Sequence, residues 1–433
     1  MKLPYLSALG LFALTVSAHS EYVVAFSAGG ESTITASNIP LNSVADGIPQ
    51  YATTTESDPE KATGSPGRIP KGNPPEPVNV YPNTGNLTRP EPMPYMPAGG
   101  INTSPDDIPV YQAFSDFDWQ SLSLALHQEW IELDLFQEGL RRFTVEEFEA
   151  ANLTADDRSL IEFMAQQEVG HATMITNILG PNAPRQCEYQ YPFQTVSEFI
   201  DFCQKLTRWG ESGVYGFLPH LDSRAAAQLL LQSITTEARQ QMIFRQFEGL
   251  FPMPVWFEVG VPQSFAWTLL APYIKSCPAG NPRLPWQNFP TLHILNNYNA
   301  IQANGSANAS YPPAITHNRQ LSHPGDEVHF FFEPPGQAVG PNMSYVTSTI
   351  TEESPKWAAW FNQLNITYTP LYNVSENEAY TRQPNLTLYS ELNQIVNGTV
   401  FVALTDTDLY LTPHNVSLVL PHVVAGPNLW QAG

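Results

Sequence analysis

Cysteine is scarce in this chain: Cys187, Cys203 and Cys277 are the whole set. Three thiols are too few for a cysteine-based zinc site and allow at most one intramolecular bridge. Cys187 and Cys277 sit in loops flanking helical segments, whereas Cys203 falls inside one. The expected bridge is therefore Cys187 to Cys277, with three buried thiols as the alternative. Positive charge is also scarce, at 19 Lys and Arg against 41 Asp and Glu. A net charge of −22 lacks the basic footprint that a nucleic-acid partner requires. Beyond the first residues no apolar run is long enough to span a membrane. Residues 418–433 do not read as a lipid-anchor tail. Nucleophile elbow, phosphate loop and dinucleotide fingerprint are all missing.

What is present begins with a leader. Lys2 precedes a short apolar run from Leu3 to Val16, and Val16-Ser17-Ala18 fits a small-residue cleavage site. Residues 1–18 read as a signal peptide and the protein as secreted, extracellular or in a cell wall. Sequons at Asn86, Asn102, Asn152, Asn304, Asn308, Asn342, Asn365, Asn373, Asn385, Asn397 and Asn415 agree with that route. Most fall in the C-terminal half, so a glycosylated surface is expected there. Residues 19–110, rich in Pro, Ser, Thr, Gly and Asn, read as an extended arm.

Residues 111–280 carry helical periodicity. A first helix over 116–143 has the stripe Leu122, Leu126, Leu133, Phe136 and Leu140, with Glu129 in its polar gap. A second starts at the Thr154 cap and ends at Gly180, with Ile161, Met164, Glu168, His171, Ile175 and Ile178 on one face. A third opens with the capping box Thr195-Val196-Ser197-Glu198 and runs to Phe217, carrying Glu211. A fourth, over 222–248, carries Leu230, Ile234, Glu237, Gln240, Phe244 and Phe247. A shorter helix is expected over 262–274. From residue 285 to 433 short runs read as strands: 328–332, 366–368, 399–404 and 416–420. They predict a β-sandwich-like domain.

A glutamate on a buried helical stripe is costly unless something neutralises it. Glu129, Glu168, Glu211 and Glu237 each stand on such a stripe, one per helix, and a dinuclear site, whose two divalent ions match four carboxylates in charge, is the economical cause. Glu-x-x-His at Glu168 and His171 supplies a carboxylate and an imidazole from one helix face. The fourth helix departs from the paired pattern, because Gln240 stands where a second histidine belongs. Glu132, one turn from Glu129, either substitutes as a ligand or faces solvent. Iron or manganese suits such a carboxylate-rich set. Phe136 and Tyr215 are expected nearby. The alternative is a bundle without metal, its glutamates held by hydrogen bonds or by Arg208 and Arg239. His127, His220, His293, His317, His323 and His329 show no ligand spacing. Asp406-Thr407-Asp408 reads as a turn before it reads as a calcium site.

Residues 125–140 (ALHQEWIELDLFQEGL), 167–172 (QEVGHA), 209–221 (WGESGVYGFLPHL) and 236–240 (TEARQ) resemble secreted ferritin-like domain proteins of fungi. That family includes stress-response and sexual-development proteins and is similar to plant desiccation-related proteins. The resemblance implies a mainly α ferritin-like four-helix bundle followed by the β-sandwich-like domain. It implies metal ligation by Glu129, Glu168, His171, Glu211 and Glu237. Gln240 resembles animal ferritin sites, where a glutamine sits near the second iron. Two functions remain open. One is a stress- or development-associated protein binding one or two Fe or Mn ions in the bundle core, with oxidase or peroxide-related activity. The other is a non-enzymatic cell-wall, matrix-contacting or desiccation-protective glycoprotein that uses the bundle as a scaffold. The Pro-rich arm and the β region argue against an iron-storage cage. Oligomeric state is not legible.

Overall fold

A computed structural model describes residues 64–68, 111–298, 320–388 and 393–433, all within one compact unit, Thr53–Gly433. The leader, most of the arm, His317 and the sequons at Asn86, Asn102, Asn304 and Asn308 lie outside the described residues.

The helices are α1 (Asp116–Arg142), α2 (Val145–Ala150), α3 (Ala155–Leu179), α4 (Val196–Phe217), α5 (Arg224–Phe247) and α6 (Gln263–Leu270). Their starts are set locally. Thr154 and Thr195 each accept from the backbone N–H three residues on, and Asp157 and Glu198 reach back to complete capping boxes. Gly180 closes α3 with a positive φ of 76°. α1 is buried along almost its whole middle, from Ser121 to Phe136, so it lies at the centre of the packing rather than on a rim. The short α2 is an element that the sequence pattern missed.

The strands are β1 (Glu188–Tyr189), β2 (Ile274–Ser276), β3 (Leu292–Ile294), β4 (Glu327–Phe332), β5 (Ala338–Val339), β6 (Tyr345–Val346), β7 (Trp357–Asn362), β8 (Asn365–Pro370), β9 (Glu378–Arg382), β10 (Thr399–Thr405) and β11 (Val423–Gln431). An antiparallel four-stranded sheet runs β11-β10-β7-β8, and a three-stranded sheet runs β3-β4-β9. Val400, Val402, Leu404, Ala358 and Trp360 from the first sheet share a core with Leu292, Val328, Phe330 and Phe332 from the second. The opposite face, with Phe401, Ala403, Ala359, Phe361 and Tyr368, packs into the same core as Phe265, Trp267 and the helices. The four-stranded sheet is thus covered on both sides, and every residue of β10 is buried.

Residues 416–420, expected as a strand, belong instead to a 3-10 helix, Val416–His422. Val416 and Val419, one tight turn apart, are the residues it buries, and Pro421 cannot donate to a ladder. The strand of this region is β11, which follows it. Cys187 and Cys277 are joined by a disulfide beside the β1–β2 pair, and Cys203 is a buried free thiol on α4. Asn152, Asn342, Asn373 and Asn385 are exposed, whereas Asn397 is half-buried with its amide donating to the Pro254 carbonyl at 2.7 Å. No helix among the described residues is long and apolar enough to cross a membrane.

Candidate metal centre

Glu129 of α1, Glu168 and His171 of α3, and Glu237 of α5 meet in the bundle core. One ligand atom from each lies within 4.8 Å of all the others. The three carboxylates are buried, and His171 is 12% exposed, so the imidazole edge is the member that reaches solvent. Its Nδ1 points inward, 3.1 Å from Glu168 Oε2, 3.3 Å from Glu129 Oε2 and 3.8 Å from Glu237 Oε1. Its Nε2 points away and lies 3.0 Å from Thr236 Oγ1. The Thr236 hydroxyl donates to the Ser233 carbonyl at 2.7 Å, so toward His171 it can only accept. Nε2 therefore carries a proton, and Nδ1 is the nitrogen left for a cation. An imidazole oriented through its far nitrogen is the usual arrangement of a metal-binding histidine.

The electrostatics show what the cluster wants. Burial pushes the Glu129 carboxyl up to about 7, with Glu168 adding to the rise and His171 opposing it. Burial, then Glu129, Glu132 and Glu168, raise Glu237. Burial opposes the charge on His171, but Glu129 and Glu168 outweigh it and hold the imidazolium up to about 12. Among the described residues no lysine or arginine pairs with these three glutamates; His171 is their ion-pair partner. Without a metal, the Nδ1 proton supplies the positive charge. Glu132 Oε2 and Gln240 Oε1 are buried without a hydrogen-bond partner. Three hard carboxylates, one oriented imidazole and unpartnered buried oxygens fit a single Fe or Mn ion.

The other expected residues are placed differently. Gln240 donates to Glu168 Oε1 at 2.5 Å and to Gln167 Oε1 at 3.3 Å. It lines the cluster as a hydrogen-bond donor. Glu132 does not face solvent: it is wholly buried, with Gln128 donating to its Oε1 at 2.9 Å. Burial, Glu168 and Glu129 raise its carboxyl well above the usual range. Its three-residue step from Glu129 was the available signal, but it is uninformative until α1 is known to be covered on several sides. Glu211 does not join the group. Its Oε2 lies 3.9 Å from Arg208 Nη1, and Tyr215 and Glu258 are its other close polar neighbours. Of the two arginines considered as partners, Arg208 is buried and Arg239 is exposed. Phe136 packs against Phe244, with ring centres 5.6 Å apart.

The remaining candidates do not form sites. His127 lies near Cys187 and Cys277, but both sulfurs are spent in the disulfide. Asp408 pairs with Arg68 at 2.6 Å, and Asp406 pairs with His422 at 2.9 Å, which leaves neither free for calcium. His293, His323 and His329 make separate pairs with Glu333, Asp326 and Glu378.

Long bundle helices that carry inward Glu and Glu-x-x-His side chains mark the ferritin-like class. Residues 117–250 match the ferritin-like domain model. The chain is 55% identical over 352 residues to Protein rds1 of Schizosaccharomyces pombe, an alignment covering 79% of this chain and 87% of the relative. The chain belongs to the ferritin-like family that includes this fungal relative.

Proposed function

We propose that this is a secreted ferritin-like protein, associated with stress or development, that binds iron or manganese in its bundle core. The observation that carries this reading is the convergence of Glu129, Glu168 and Glu237 on His171 Nδ1, with no lysine or arginine among the described residues pairing with them. A bound ion would supply redox chemistry toward dioxygen or peroxide, which suits an oxidase or a peroxide-consuming activity. The chain's own residues hold the ion, fix the imidazole through Thr236, and keep bulk water to the His171 edge. The leader at residues 1–18 and the exposed sequons support secretion, and cell-wall or matrix components are the partners this location offers. A second reading, a metal-free scaffold glycoprotein, draws support from one feature. Glu168 already receives hydrogen bonds from both His171 and Gln240.

Metal analysis of the protein purified from its secretion route, followed by gentle Fe(II) or Mn(II) reconstitution, separates the two. Close to stoichiometric metal is expected, and less than about a tenth of an equivalent would sink the first reading, since a preformed carboxylate site retains its ion. Glu168→Ala gives a second readout. In a metal centre it removes the ion and abolishes the melting-temperature gain on adding Mn(II), whereas in a metal-free core Mn(II) leaves the melting temperatures of the parent and the variant unchanged.

A further inference from the structure

Glu211 stands apart from the other carboxylates, with Arg208 beside it. Arg208 lies one helical turn before it on α4 and is buried. Its Nη1 is 3.9 Å from Glu211 Oε2 and also pairs with Glu258. A guanidinium keeps its proton in any protein setting, so this is a permanent positive charge. The arginine cannot swing clear, because the C-terminal sheet grips it. Arg208 Nε donates to the Thr399 carbonyl at 3.3 Å, and its guanidinium sits over the Phe401 ring at 5.9 Å. Thr399 is itself fixed, accepting from Gln204 at 2.6 Å and donating to Gln431 at 3.0 Å. A divalent ion bound by Glu211 would stand beside this charge in a low-dielectric interior, where like charges repel strongly. On the facing helix, Gln240 is neutral and adds no anionic ligand to draw a second ion in.

We propose that the bundle holds one divalent ion, in the Glu129–Glu168–His171–Glu237 group, and that the fixed charge of Arg208 beside Glu211 keeps a second ion out. This rests on the proposed metal binding and specifies it. It also gives the β region a part in the site, since β10 holds the arginine that closes the second position.

The test loads the full-length secreted protein with excess Mn(II), removes free metal, and counts Mn per chain alongside electron paramagnetic resonance. One ion per chain with the hyperfine pattern of an isolated Mn(II) is expected. Two ions with an exchange-coupled spectrum would overturn this inference and leave the proposed function standing; no ion would overturn the proposed function itself. Glu211→Gln supplies the independent arm, and Arg208 keeps Glu258 as partner in that variant, so the fold is retained. Its Mn affinity and the melting-temperature gain on adding Mn should match those of the unmodified protein. An affinity loss of about tenfold or more, the size expected when a supporting or ligating group is removed, would mark Glu211 as part of the metal site and overturn the assignment.

Discussion

His171 does two jobs through two nitrogens, and Thr236 keeps them apart. The hydroxyl accepts from Nε2–H because its own proton is committed to the Ser233 carbonyl. Thr236→Val keeps the shape of the side chain and removes the acceptor. We expect Fe(II) or Mn(II) affinity to fall about tenfold with the circular dichroism spectrum unchanged, as titration calorimetry would measure. His127 responds to pH in a predictable direction. Burial lowers its pKa from 6.5 to about 4, so the folded state binds its proton later than the unfolded state does. The unfolded chain therefore holds more protons between these values, and stability falls as pH drops from about 6.5 toward 4. His127→Leu removes this contribution. The stability lost by the unmodified protein between pH 6.5 and 4 should exceed that lost by the variant by about 3 kcal/mol, read from denaturant melts. Equal losses would refute the assignment.

At the scale of elements, two helical glycines have opposite meanings. Gly216 lies where α4 meets the segment leading into α6; a Cβ there would fall 1.8 Å from the Val261 carbonyl oxygen. That segment is tied to the helix by Val261 N–H donating to the Ser212 carbonyl at 2.9 Å, so it cannot shift without losing the bond. Gly170, on α3 beside His171, has open space around the same position. Gly170→Ala should therefore stabilise the protein by roughly 0.5–1 kcal/mol, the ordinary gain from a helix-interior glycine. Gly216→Ala should destabilise it by about 2 kcal/mol or more, as an overpacked core does. Thermal melts of the pair decide it: two changes of the same sign would contradict the close approach.

At the scale of the whole molecule, the bundle and the strands share one core, so the sheet is part of what keeps the helices in place. The disulfide reinforces this by tying the loop after α3 to the end of the segment that follows α6. Cys187 and Cys277 are separated by 90 residues in sequence. On the chain-entropy account, closing a loop of that length restrains the unfolded chain by about 4–5 kcal/mol. Cys277→Ser should lower unfolding free energy by a loss of that order, and reduction of the unmodified protein should match it. A fall under about 1 kcal/mol would show that the bridge adds little beyond the shared core.

The helix limits were legible because they are written in short range. Thr154, Thr195 and Gly180 act within a few residues, and the apolar stripes repeat within a turn. The Glu168–His171 step was legible for the same reason, since three residues on a helix share a face. The run at 416–420 misled because five apolar-rich residues fit a strand and a 3-10 turn equally well until Val416 and Val419 have a core to enter. Glu132 could not be assigned to core or solvent without knowing how many neighbours cover α1. The sequence by itself determined that four helices would each carry a glutamate on an inner stripe. Only the tertiary structure decided that three of them meet at His171 while Glu211 turns to Arg208. The arginine is held by Thr399, 191 positions further along the chain, and no local pattern encodes a contact of that range.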